Sequence, residues 1–383
     1  RRGSRNAGRA SRKSSKRKQS EPEADVPSEP TLWSRLRSWL QRHTLNIFIA
    51  MMFMIALWHT VLQFTTAMRA ARLKLSRGSV PGRMVSTPGG DMHMMCDGVA
   101  TQGRPVVILE AMELVGQALA WELVMPHLAP YGRVCGYDRA GFGWSPKRTQ
   151  ERTLKVVAEE LYELLQASGE QPPYLVVGHS LGGVFARQFA ARYPNITSGV
   201  VNIDSALTDP AVAFIDKVRP PLTQLPRALL ETCHYILQPL GLIHLIYAEA
   251  VEWRIHNLTY LPSLELIEDT VHLHDFCFAV QAEVDGVFNT ETLEEGFQWE
   301  QRVLGQLDMW VVIRLRQSFT GLRSDEVIPG TEGRSWSDLQ REMASVARRS
   351  TVLAAAADEL LPMSVPDEVA RIVLLAWNAT SVT

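Results

Sequence analysis

Between residues 106 and 354 the chain alternates short, continuous apolar runs with stretches of helical periodicity, and this pattern constrains its fold more than any other feature. The runs cover 106–109, 133–137, 174–177, 199–203, 310–313 and 351–354. A run that is apolar throughout needs cover on both faces, which a parallel sheet flanked by helices supplies. Residues 154–167 suit such a helix: Val157, Leu161, Leu164 and Leu165 fall on one stripe, and Gly169 stands just past the end as a stop signal. The predicted class is α/β with a mostly parallel sheet. The alternation lapses at about 206–308, which reads as a helical insertion. That insertion is either a lid over an apolar site or a helical subdomain packed on the sheet. Within it, 225–246 reads as two short helices broken at Pro239 and Gly241.

Ahead of this body lie two different segments. Residues 1–44 hold 12 Lys+Arg against 4 Asp+Glu, a net +8, and 1–31 lack an apolar face, so 1–44 read as a basic disordered tail. The tail is either drawn to anionic lipid or is a solvated leader. The other 339 residues carry 27 basic against 37 acidic side chains, a net −10, which argues against a nucleic-acid partner. Residues 45–62 contain no Asp, Glu, Lys or Arg and would span about 27 Å as a helix, close to a bilayer core of about 30 Å. Trp33, Trp39, Arg42, Arg69 and Arg72 flank the run as interfacial anchors do. We read 45–67 as a single-pass transmembrane anchor with the lipid bilayer as partner; Asn46, His59 and Thr60 keep an interfacial or buried helix as the alternative. Orientation stays open, because basic residues stand on both sides of the span. Asn195, Asn257 and Asn378 begin N-x-Thr sequons that matter only if the body is lumenal.

Gly178-His179-Ser180-Leu181-Gly182 is a G-x-S-x-G directly after a strand and before a helix. The sharp turn places a serine hydroxyl above the sheet, and only glycines let strand and helix approach closely enough. Ser180 is the candidate nucleophile. The backbone N–H of Leu181, at the positive end of the helix, is a candidate oxyanion donor.

With GYDRAGFGWS at 136–145, ILEA at 108–111, VNIDS at 201–205 and AVQAE at 279–283, residues 83–376 resemble the α/β-hydrolase superfamily. The resemblance implies one hydrolase domain over about 80–383 with a helical lid, and a chemistry class of esterases, lipases, thioesterases, peptidases and epoxide hydrolases. It also implies a second oxyanion donor at Met112, and a catalytic order of serine, carboxylate, histidine. Asp204 is the candidate acid, or else a strand-end cap. The family's histidine position falls on Glu359, and no histidine follows residue 274. A carboxylate, with a pKa of about 4.3, is a far poorer acceptor for a serine proton than an imidazole. His272 and His274 in the insertion are either substitute bases or surface histidines. Met112-Glu113-Leu114-Val115-Gly116 also departs from the glycine-rich oxyanion loop usual in the family.

Cys96, Cys135, Cys233 and Cys277 form no C-x-x-C pair, so neither a zinc knuckle nor a disulfide-dense scaffold is indicated and the redox compartment stays open. No phosphate loop, dinucleotide fingerprint or metal cluster is legible, and no cofactor is implied. Two functions follow as expectations. One is a membrane-anchored hydrolase of an apolar carboxylic ester or lipid. The other is a pseudoenzyme that keeps the pocket to bind lipid or to assemble with membrane proteins.

Overall fold

The computed structural model describes residues 31–75, 81–112, 117–213, 227–237, 275–317, 321–357 and 361–381. The chain divides into two units, 1–58 and 59–383. Helix α1, Leu32–Leu75, begins inside the stretch read as tail, so disorder is overturned for 32–44, while 1–30 lie outside the described residues. Its window Leu32–Val61 is long and apolar enough to cross a membrane. Leu45, Phe48, Ile49, Met52, Phe53 and Ile55 are all exposed.

The body is built on eight strands: β1 (Arg83–Thr87), β2 (Gly90–Asp97), β3 (Val106–Glu110), β4 (Val134–Tyr137), β5 (Tyr174–His179), β6 (Thr197–Ile203), β7 (Asp308–Arg314) and β8 (Arg349–Ala355). Their order is β1-β2-β4-β3-β5-β6-β7-β8. The six runs read from sequence are β3 to β8 and pair parallel, whereas β1 and β2 join antiparallel. The hairpin β1–β2 escaped the apolar-run criterion because Gly90-Asp91-Met92-His93 mixes polar and apolar residues.

Alternate strand residues feed two cores, as a period of two requires. Val107, Leu109, Leu175 and Val177 face a cluster with Trp121 and Trp377, beneath the helix Pro366–Thr380. Ile108, Val176, Val200 and Val311 face the other cluster, with Leu164 from α3 (Leu154–Ser168) and Phe189 from α4 (Leu181–Arg192). Helix α3 starts on Thr153, whose side chain accepts from Val156 N, and ends on Gly169 at φ 81°, the predicted stop. Within the predicted insertion, Pro210–Ala213, Arg227–Thr232, Phe276–Val287 and Thr290–Val303 are α-helical. Most of 225–246 lies outside the described residues.

Candidate active site

Ser180 links β5 to α4 with φ 53° and ψ −121°, a conformation that costs a non-glycine residue about 1–3 kcal/mol. The surroundings hold it there. Ser180 N donates to Ile203 O at 3.1 Å, and Ser180 O accepts from Gly183 N at 3.1 Å and Ala206 N at 3.0 Å. The glycines are required by contact: a Cβ on Gly182 would lie 2.6 Å from Ala111 O, and one on Gly178 would lie 2.5 Å from Gly183 Cα. The elbow is therefore wedged between the ends of β3 and β6. As the first residue of α4, Leu181 has no intrahelical acceptor for its N–H.

On the neighbouring wall, Arg139 fixes the end of β3. Its Nη1 donates to Ala111 O at 2.9 Å and its Nη2 to Met112 O at 3.4 Å. A trans peptide points its C=O and N–H in opposite directions, so the Met112 N–H faces away from the Arg139 guanidinium. Arg139 also forks onto Glu283, with Nε at 2.7 Å from Oε1 and Nη2 at 3.1 Å from Oε2. Glu283 belongs to Phe276–Val287, so one buried cation joins the insertion to the sheet. Beneath it, Glu110 Oε2 lies 3.6 Å from Arg139 Nη1, and Tyr137 OH donates to Glu110 Oε1. Complete burial pushes Glu110 up to about 7 against the pull of Arg139. The same carboxylates raise Arg139 despite its own burial.

The 136–145 stretch is largely scaffold. Asp138 accepts from Ala118 N at 2.9 Å, Trp144 N at 3.1 Å and His93 Nδ1 at 2.7 Å. Gly143, at φ 51°, leaves room for that carboxylate, since a Cβ there would stand 2.7 Å from Asp138 Oδ1. The other nitrogen of His93 bonds Pro81 O at 2.8 Å. Burial opposes the charged imidazole, but Asp138 outweighs it and the His93 pKa is raised.

Asp204 also adopts a positive φ, 44°, and is buried at the end of β6. Its Oδ1 accepts from Trp336 Nε1 at 2.6 Å, and its Oδ2 pairs with Arg314 at the end of β7. Both oxygens thus have donors other than histidine. A carboxylate oxygen accepts more than one hydrogen bond, so an imidazole remains compatible by count, but the negative charge is already matched.

The remaining candidates, and the other histidines and carboxylates of the body, are dispersed. His127 pairs with Asp367 at 3.0 Å on the surface, and His179 ends β5 under the elbow. Glu113, His272, His274 and Glu359 lie outside the described residues. Asp325 is exposed and pairs with Arg323. A cleft of about 400 Å³ is lined by Leu207, Thr208, Glu300 and Met343 but not by Ser180. Sequence reasoning missed Arg314, Trp336, Arg139 and Glu283. Arg314 carried a signal, since a cation closing a wholly apolar strand needs a buried carboxylate partner.

Residues 105–235 match the family model described as alpha/beta hydrolase fold. An uncharacterised protein of Schizosaccharomyces pombe is 38% identical over 82 residues, 21% of this chain and 15% of that protein. An uncharacterised vacuolar membrane protein of Saccharomyces cerevisiae is 31% identical over 105 residues, 27% of this chain and 16% of that protein. The chain therefore spans less than a fifth of either relative. A thermophilic esterase from Thermogutta terrifontis, solved with malate bound, superposes with a TM-score of 0.55 at 18% identity, over 79% of this chain and 100% of that one, a likeness of fold. Strand order, elbow and these matches show that the body has the α/β-hydrolase fold.

Proposed function

We propose that this chain is a membrane-anchored serine hydrolase of apolar carboxylic esters, with Ser180 as nucleophile. The observation that carries the reading is the strained Ser180 backbone at the N-terminus of α4, held by three backbone hydrogen bonds. Strain of this kind persists only where surrounding structure enforces it. In this reading Ser180 Oγ attacks the ester carbonyl, the N–H groups of Leu181 and Met112 receive the oxyanion, and the alcohol leaves to give an acyl-serine that water hydrolyses. The proton acceptor in this reading is His272 or His274; both ring nitrogens of His93 are committed elsewhere and His127 is at the surface. Helix α1 anchors the enzyme in the bilayer that holds its substrate, and the vacuolar membrane relative supports that location.

One observation favours a second reading. Asp204, the candidate acid, is matched by Arg314 and Trp336, as a structural carboxylate would be. With Glu359 at the expected base position, that arrangement suits a pseudoenzyme that binds lipid or membrane proteins. Labelling by a fluorophosphonate probe separates the two. Labelling of the intact chain that disappears in Ser180→Ala supports the hydrolase. No labelling of the intact chain, but labelling after Glu359→His, supports the pseudoenzyme.

A further inference from the structure

All four cysteines are paired. Cys96 and Cys135 are bonded across the β2–β4 pair, where they stand directly opposite in register, and Cys233 is bonded to Cys277 in the insertion. The second bond joins the 227–237 segment to the helix that carries Glu283. Glu170 lies against Cys96, yet its carboxylate accepts three hydrogen bonds from Arg133, at 2.7, 3.1 and 3.2 Å. A cation is thus already in place there, and the sulfurs are bonded to each other. Two structural disulfides in one domain do not persist in a compartment that keeps thiols reduced.

A second observation is independent of sulfur. Asn195 and Asn378 each open an N-x-Thr sequon, and both are exposed. Asn195 lies in the short turn Pro194–Ile196 beyond the end of α4, and α4 begins at the elbow. Twelve residues of helix put about 18 Å between that turn and Ser180. Asn378 stands near the end of Pro366–Thr380, where Arg104 donates to its Oδ1, and Trp377 beside it bonds Pro105 just before β3 starts. Both asparagines therefore sit at the edge where the parallel strands begin, and the elbow sits at the edge where they end. A bulky group on either one would leave the nucleophile accessible.

We infer that the α/β-hydrolase body lies on the oxidising, non-cytosolic side of its membrane and is N-glycosylated at Asn195 and Asn378. The inference rests on α1 as a span for its sidedness, and it resolves an orientation that flanking charges leave tied: the net +8 tail stays cytosolic, in line with the excess of Lys and Arg on that side. The co-reactant is a lipid-linked oligosaccharide pyrophosphate. Asparagine Nδ2 attacks the sugar C1, the C1–O bond to the pyrophosphate breaks, the lipid pyrophosphate departs, and Nδ2 loses one proton. Arg104 engages Oδ1 of Asn378, the amide atom that does not react.

The test is the full chain made in eukaryotic cells, with three readouts. In an Asn257→Gln background, which removes the third sequon, glycosidase treatment that removes N-glycans is expected to increase mobility in two steps, one lost in Asn195→Gln and the other in Asn378→Gln. The asparagines are the positions to vary, since Thr197 is buried and bonded to Tyr193 O. Alkylation of the denatured, unreduced chain is expected to label no cysteine, and to label four after reduction. A chain that glycosidase leaves unshifted, or that alkylates at four cysteines before reduction, overturns the inference. Alkaline carbonate extraction keeps the anchor separate: a glycosylated chain released by carbonate overturns the membrane anchor while leaving the glycan sites standing.

Discussion

Asp204 and Arg314 form a buried ion pair at the adjacent ends of β6 and β7, with the Arg314 guanidinium 5.1 Å over the Trp336 ring and Trp336 Nε1 donating to the carboxylate. The pair decides how the candidate acid is to be understood. A carboxylate that serves a catalytic imidazole keeps its charge available to it, whereas Asp204 shares that charge with a fixed cation.

Removing one partner of such a pair leaves an uncompensated buried charge, a loss of about 3–5 kcal/mol. Arg314→Met is expected to destabilise the purified chain by that amount in denaturant unfolding. The double variant Asp204→Asn with Arg314→Met is expected to recover much of the loss, since no isolated charge remains. A single-variant loss below about 1 kcal/mol would show that the pair does not hold these strands together.

The elbow makes a steric prediction. Gly182→Ala puts a Cβ 2.6 Å from Ala111 O, backbone that cannot swing aside as a flexible side chain can. Overpacking of this kind costs about 1–3 kcal/mol. The expected result is a lower melting temperature together with loss of fluorophosphonate labelling, if the intact chain labels. Unchanged melting would mean that β3 and α4 are less tightly apposed than these contacts require.

Why the fold was legible and the site only partly so follows from what each depends on. Strands β3 to β7 are buried on both faces, so burial alone wrote a readable apolar run into each. At the sheet edge β8 is largely exposed and was legible only through its short run at 351–354. The elbow was legible because backbone geometry restricts which residues fit at 178, 180 and 182. The Asp204–Arg314 and Arg139–Glu283 pairs join residues 110 and 144 positions apart, and no local pattern encodes that distance. The cysteines were opaque for the same reason: Cys96 meets Cys135 only through strand register. Helix α1 was read too short because its first turns carry arginines, which a helix exposed on all sides tolerates.

Glu110 predicts a pH dependence. Its pKa is raised by burial from 4.5 to about 7 in the folded protein, so the folded state holds the proton more tightly than the unfolded chain. Stability from this group is fully present below about 4.5 and is lost as pH rises through about 7, by up to about 3 kcal/mol. His93, also raised, adds a loss in the same direction above 6.5. Melting temperatures compared at pH 5 and pH 8 should therefore fall more in the wild-type chain than in Glu110→Gln, which should retain the smaller His93 slope. Equal falls in the two proteins would remove Glu110 from the account.

Arg139 carries the last prediction, because it serves two elements at once. Its guanidinium lies 5.5 Å from the Phe142 ring and 4.6 Å from the Phe185 ring, holds the carbonyls of Ala111 and Met112, and accounts for both oxygens of Glu283. Lysine keeps the charge but cannot reproduce the planar fork, so Arg139→Lys retains part of the attraction to Glu283 and loses the hold on the β3 carbonyls. Glu283→Gln does the reverse: it removes the charge from the insertion and leaves those carbonyls held. If the Ala111 and Met112 peptides form the oxyanion wall, Arg139→Lys should depress serine labelling more than Glu283→Gln does at matched thermal stability. Labelling that instead tracks stability alone across the two variants would make Arg139 a purely structural cation.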